Sequence, residues 1–168
     1  MERFITTSNQ KQLKRNFWKT VILSWLLVGS LDILAALIRF YANTGKDPLI
    51  VLKYIASAVF GKVAYTGGTM MAVYGLLFHF LIAFIWTVFF FFIYPRLRML
   101  SWNRLVTGIL YGIFIWLIMS HVVVPLSKAS TGHFKWKEAI IAALILIGAI
   151  GLPLSFIAYR FYYARAKA

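Results

Sequence analysis

At 168 residues, with 62% hydrophobic and 13% charged side chains, the chain lacks the polar surface that a water-soluble fold of this size requires. Its formal charge of +14 does not point to nucleic acid, because Lys and Arg stand in small groups at the ends of apolar runs, where anionic lipid headgroups sit. The absence of Cys excludes a disulfide framework, a thiolate nucleophile and a Cys-ligated metal.

Residues 1–16 read as a basic segment, with Lys11, Lys14 and Arg15 in it and Lys19 just beyond. The apolar run 17–41 follows. It exceeds the roughly 7–15-residue core of a signal peptide, no small-x-small cleavage site stands cleanly after it, and it is read as a retained helix. In the turn Asn43–Pro48, Asp47 is a natural N-cap and Pro48 fits the first helical position, so the sequence predicts a short outer helix over 48–62. That helix is too short to span, and it either lies in the interface or leans back over the bundle.

Gly67 and Gly68 break the chain before a second apolar run, 69–94. A third covers 105–125, a polar loop occupies Ser127–Lys137, and a fourth run covers 139–159, with Pro153 expected to bend it. A basic tail, 160–168, ends the chain. A bilayer core about 30 Å thick needs about 20 apolar residues in a helix, and each of the four runs meets that length. The expected fold is all-α, a polytopic membrane protein built as a four-transmembrane-helix bundle with one short interfacial helix. The six Trp and nine Tyr suit its interfacial belts.

Eleven Lys and Arg fall on the side of the termini and the 96–104 loop: Arg3, Lys11, Lys14, Arg15, Lys19, Arg96, Arg98, Arg104, Arg160, Arg165 and Lys167. Seven fall on the other: Arg39, Lys46, Lys53, Lys62, Lys128, Lys135 and Lys137. The positive-inside rule then puts both termini in the cytoplasm.

Between apolar helices in lipid, close approach at small residues replaces the hydrophobic drive. Ala72, Gly75, His79 and Ala83 make one narrow face of the second helix; Gly108 and Gly112 form a small-xxx-small pair in the third; Gly148, Gly151 and Ser155 line the fourth. These are expected bundle contacts.

Four ionisable residues fall inside or at the edge of the spans: Asp32, Arg39, His79 and His121. Each asks for a partner or a wet cavity. Counting about 1.5 Å per residue from the cytoplasmic ends puts Asp32 and His79 both roughly 22 Å up, and His121 roughly 24 Å. Asp32 is short and near the middle, so it is expected to be neutral or paired, with His79 or with a donor on another helix. Arg39 lies two turns above it and is expected to snorkel to the outer headgroups. His79 follows the small-residue face and so points inward. His121 lies nearly opposite Gly112 on an ideal helix, which argues against a bis-His haem or metal site. His133, in the polar loop, is read as solvated. Glu138 and Asp47 each sit where a helix N-terminus favours negative charge. No metal or cofactor is expected, and no HExxH, phosphate-cradling Gly loop or GxSxG motif speaks for an enzyme.

Leu31-Asp32, Gly67-Gly68, the stretch Gly75 to Phe80 with His79 in it, Tyr111-Gly112, and the close of the third helix from Val122 through Pro125 to Ser127 together resemble a family of small bacterial inner-membrane proteins of the YagU-like kind. The resemblance covers about Leu31 to Ser127. It implies a bacterial inner-membrane location and four helices, supplies no activity, and directs attention to Asp32, His79 and Pro125–Ser127.

Two functions follow as expectations. The first is a structural or accessory protein that binds lipid or a membrane partner, as a homo-oligomer or with another chain. The second is a small oligomeric transporter or channel for protons or a small solute, using Asp32 and His79. A cavity reaching Asp32 favours the second; a dry, well-paired Asp32 favours the first.

Overall fold

The computed structural model describes residues 7–96, 103–129 and 136–162, with side chains from residue 16 onward. Arg3, Arg98, His133, Lys135, Arg165 and Lys167 lie outside the described residues. The architecture is all-α, with no strand among the described residues. Four helical stretches are long and apolar enough to cross a membrane: Asn16–Thr44, Gly68–Arg96, Arg104–Leu126 and Trp136–Tyr162. Helices suit that environment because every backbone donor and acceptor is satisfied within the segment.

Helix α1 covers Thr7–Thr44 and therefore absorbs most of the basic N-terminal segment, since neither Gly nor Pro occurs between Thr7 and Val28. Its end is closed locally: Gly45 takes a left-handed φ of 64° and donates its N–H to the Tyr41 carbonyl at 2.8 Å. The outer helix α2 runs Leu49–Phe60, shorter at both ends than expected. Pro48 sits one position before it, and Asp47 Oδ1 accepts the Leu49 N–H at 2.9 Å, so Asp47 does cap the turn. After a single turn, α3 (Val63–Thr66), Gly68 at φ 66° launches α4 (Gly68–Ile93).

The open question of where α2 lies has a clear answer. It packs chiefly along α4 and leans into the bundle. Gly75 is what permits this, since a Cβ there would stand 1.9 Å from the Leu52 carbonyl oxygen. Ile33, Leu52 and Ala72 form the small buried cluster joining α1, α2 and α4. A backbone bond from Lys128 N–H to the Ala58 carbonyl, 3.0 Å, ties the end of α2 to the end of the third span.

The third span consists of α5 (Arg104–Ile118), a π turn at Met119–Val123 and α6 (Val124–Leu126). Asn103 caps α5, its side chain accepting from Leu105 N at 3.0 Å. The fourth consists of α7 (Trp136–Leu146), a π turn at Ile147–Gly151 and α8 (Leu152–Tyr162). Both π turns end two residues before a proline, Pro125 and Pro153. A proline ring clashes with the carbonyl four residues back and lacks an N–H, and widening the preceding turn relieves both problems. The bonds that replace the regular ones run from Val124 N–H to the Met119 carbonyl and from Leu152 N–H to the Ile147 carbonyl.

The widened turn in the fourth span corrects one expectation. Gly108 and Gly112 of α5 do pack on that span, where added Cβ atoms would meet Leu152 Cα at 2.9 Å and Ile147 Cα at 2.5 Å; Gly151 faces the Gly108 carbonyl. Gly148, by contrast, is exposed and would meet nothing within 4 Å. The extra residue in the turn rotates it off the face it would share with Gly151 and Ser155 in a regular helix.

Below α2, the interior is dominated by Phe90, Phe91, Tyr94, Tyr111, Ile115 and Leu154, with Val21 and Val28 of α1 against them. Side-chain donors aimed at backbone carbonyls of neighbouring helices pin this region: Trp25 Nε1 to Phe80 (2.7 Å), Tyr111 to Trp86 (2.6 Å), Ser155 to Arg104 (2.7 Å) and Tyr162 to Phe91 (2.8 Å). The Arg104 guanidinium covers the Tyr159 ring at 4.5 Å. The outward faces, among them Leu23, Leu27, Leu34, Leu77, Leu81, Ile85 and Leu144, are bare apolar surface on every side of the bundle. A surface of that kind requires a lipid or protein cover, and the chain is a multi-pass membrane protein in its architecture.

Candidate functional site

A cavity of about 610 Å³ opens between the four spans and α2, in the half of the bundle that holds α2. Span 1 contributes Asp32, Ala36, Arg39, Phe40 and Asn43; α2 contributes Val51, Tyr54 and Ile55; α4 contributes His79; α5 and its π turn contribute Trp116, Met119 and Ser120; α7 contributes Glu138 and Ala142. Three of the four ionisable residues singled out from sequence line this space, with Asp32 and His79 on different helices. They lie close enough to interact electrostatically. His79 Nε2 is 2.8 Å from the Gly29 carbonyl, so that nitrogen carries the proton and donates. Nδ1 remains as the ring atom that can gain or lose one. Asp32 has no hydrogen-bond or ion-pair partner among the described residues.

Arg39 also lines the cavity, but it does not reach for headgroups. Its guanidinium forms an ion pair with the Glu138 carboxylate across the gap between α1 and α7. The reason is geometric: Glu138 lies in the first turn of α7, and its carboxylate provides a direct counter-charge where snorkelling would provide only solvation. His121 is exposed and outside the cavity, its Nδ1 3.3 Å from the Leu117 carbonyl and its ring edge-on to Trp116 at 5.6 Å. The two histidines do not converge, and no group of three or more His, Cys, Asp or Glu able to hold a metal occurs among the described residues.

Pro125–Ser127 proves to be a helix stop. Ser127 Oγ donates to the Val124 carbonyl at 2.7 Å and accepts the Ala129 N–H at 3.2 Å. Of the glycines expected to pack helices, Gly75, Gly108, Gly112 and Gly151 do so within the chain and away from the cavity lining, and Gly148 does not.

Aromatic side chains pack between α1 and α4 on the side of His79 away from α2. Trp25 packs edge-on against Phe80 (6.0 Å) and Phe84 (5.3 Å), the His79–Gly29 bond lies beside them, and the aromatic core follows. The site is a cavity, apolar on most of its wall, with an acid, an imidazole and an Arg–Glu ion pair in its lining.

Sequence reasoning missed Tyr54, Trp116, Ser120 and Glu138 as cavity residues. Trp116, Met119 and Ser120 carried a signal, since spacings of three and four put them on one helical face. Glu138 carried none, because its partner lies 99 residues away.

No family model matches the chain, and no curated protein or solved structure matches it.

Proposed function

We propose that the chain is a multi-pass protein of the bacterial inner membrane, with both termini cytoplasmic, that moves protons or a small solute through the Asp32–His79 cavity. The observation that carries this reading is the cavity itself: it reaches an intramembrane carboxylate that has no hydrogen-bond partner among the described residues. Intramembrane acids that face a cavity are the usual carriers of ion and proton pathways. The resemblance to the YagU-like family supports the bacterial location, and the Lys and Arg imbalance supports the orientation. In that orientation the chamber opens to the periplasmic side.

The two proline-linked π turns are the weak points about which the third and fourth spans would flex to change the exposure of the site. The accessory reading rests on the scarcity of buried polar groups and the abundance of small-residue packing faces. Gly75, Gly108, Gly112 and Gly151 are packed within the chain, which removes them as a reason for a homo-oligomer.

Proton flux into proteoliposomes tests the proposal, with wild type compared against Asp32→Asn and His79→Ala. Loss of flux in both folded variants supports it. Absence of flux in the wild type, with Asp32→Asn altering only thermal stability, would return the site to a structural role.

A further inference from the structure

We infer that the chamber receives a compact organic cation, an ammonium group on an apolar body, with the Asp32 carboxylate as its counter-ion and Phe40, Tyr54 and Trp116 as its walls. This rests on the proposal that the chamber is the working site and names the class of solute it takes.

The charge inventory of the lining leads there. Arg39 and Glu138 cancel each other as an ion pair. His79 commits Nε2–H to the Gly29 carbonyl. Asp32 alone is left without a hydrogen-bond or ion-pair partner among the described residues. An unpaired carboxylate among apolar groups is costly unless it is protonated or paired with a cation. An anionic solute would be repelled by it, and a neutral apolar one would leave it uncompensated. A solute that is both cationic and apolar satisfies the acid and the wall together.

The aromatic lining adds to the match. Three rings face one chamber, and the faces of Trp, Tyr and Phe attract cations most strongly where water is excluded. At about 610 Å³ the space suits a small organic molecule and is far larger than a bare metal ion needs.

Proton and cation then compete for one carboxylate. The groups facing Asp32 are His79 from α4, Arg39 on its own helix, Tyr54 from α2 and Glu138 from α7. Raising the pH removes any proton from Asp32, which favours the cation. Binding therefore strengthens as pH rises.

The test is isothermal titration calorimetry on the full chain in detergent micelles, with benzyltrimethylammonium as the probe. The probe cannot lose a proton, so any pH dependence belongs to the protein. N,N-dimethylbenzamide, similar in size and neutral, is the control. Expected are saturable binding of the cation, binding of the amide at least about tenfold weaker, and weaker cation binding at pH 5 than at pH 8. Asp32→Asn should weaken the cation about tenfold, and Trp116→Leu several-fold, with monodisperse elution and helical circular dichroism retained.

Equal affinity for cation and amide, binding unchanged by Asp32→Asn, or no cation binding by the wild type would each overturn the inference. Should Asp32→Asn fail to fold, the probe selectivity, the pH series and Trp116→Leu still decide it. Asp32-dependent proton flux without cation binding sinks this inference and leaves the proposed function standing. Cation binding without flux supports the receptor chamber and sinks translocation.

Discussion

Gly148 and Gly151 stand one helical turn apart in the fourth span, yet replacing each by Ala should have opposite effects. A Cβ on Gly151 would lie 2.1 Å from the Gly108 carbonyl oxygen, against the 3.4 Å at which ordinary contact begins. The obstacle is backbone, with no flexible side chain to turn aside, so α5 and the π turn must part by about 1.3 Å, the difference between those two distances. A gap of 0.5–1 Å already forfeits a quarter to a half of each contact worth about 0.1–0.2 kcal/mol. Over the few tens of atom pairs in such an interface, the loss comes to about 1–3 kcal/mol, the usual cost of an overpacked core. Gly148 meets nothing within 4 Å, so Ala there gains up to about 1 kcal/mol of helix propensity unopposed. The assay is reversible unfolding of detergent-solubilised protein by sodium dodecyl sulfate, followed by circular dichroism. Equal destabilisation by both substitutions would refute the register assigned to the π turn, because a regular helix puts the two glycines on one face.

Three further outcomes follow from the same contacts. The Arg39–Glu138 pair is half in water at its acidic end, with Glu138 54% exposed, so a double-mutant cycle with Arg39→Gln and Glu138→Gln should return a coupling of only about 0.2–1 kcal/mol that shrinks with added salt. Tyr111→Phe removes the hydroxyl that donates to the Trp86 carbonyl and should lower stability by about 0.6–1.7 kcal/mol in the same unfolding assay. His121→Ala should fall within about 0.5 kcal/mol of wild type and leave flux intact, whereas His79→Ala loses both a bond between helices and the flux.

Most of the fold was legible because one constraint dominates it. A helix that crosses lipid must be apolar over a fixed length, and that length can be read directly from residues such as the run between Gly68 and Ile93. The cap at Asp47 and the break at Gly67-Gly68 were legible because both are local signals. The meeting of Asp32 with His79 was legible through depth alone, since both lie on helices of known direction. The partner of Arg39 was not. Glu138 is distant in sequence, and although the charge count puts it on the same side as Arg39, nothing in a single chain says that α7 stands beside α1. The pins Trp25 and Tyr111 were hidden for another reason. They hydrogen-bond to backbone carbonyls, which every residue possesses, so the acceptor leaves no mark on the sequence.

The failure at Gly148 and the position of the cavity share a cause. Pro125 and Pro153 each force an extra residue into the turn before them, and those turns border the chamber: Met119 and Ser120 lie in one, and Ile145 and Leu146 immediately precede the other. A regular 3.6-residue period carried through either turn misplaces everything beyond it by about a quarter-turn. Gly148 is lost from the packing face within the widened turn, while Trp116, before the start of the other, keeps the position that helical spacing predicts. On the proposed transport reading, two helices that lose regularity beside Asp32 give the site a place to change exposure, since a straight and uniformly bonded pair packed at Gly108 and Gly112 would offer no place to bend.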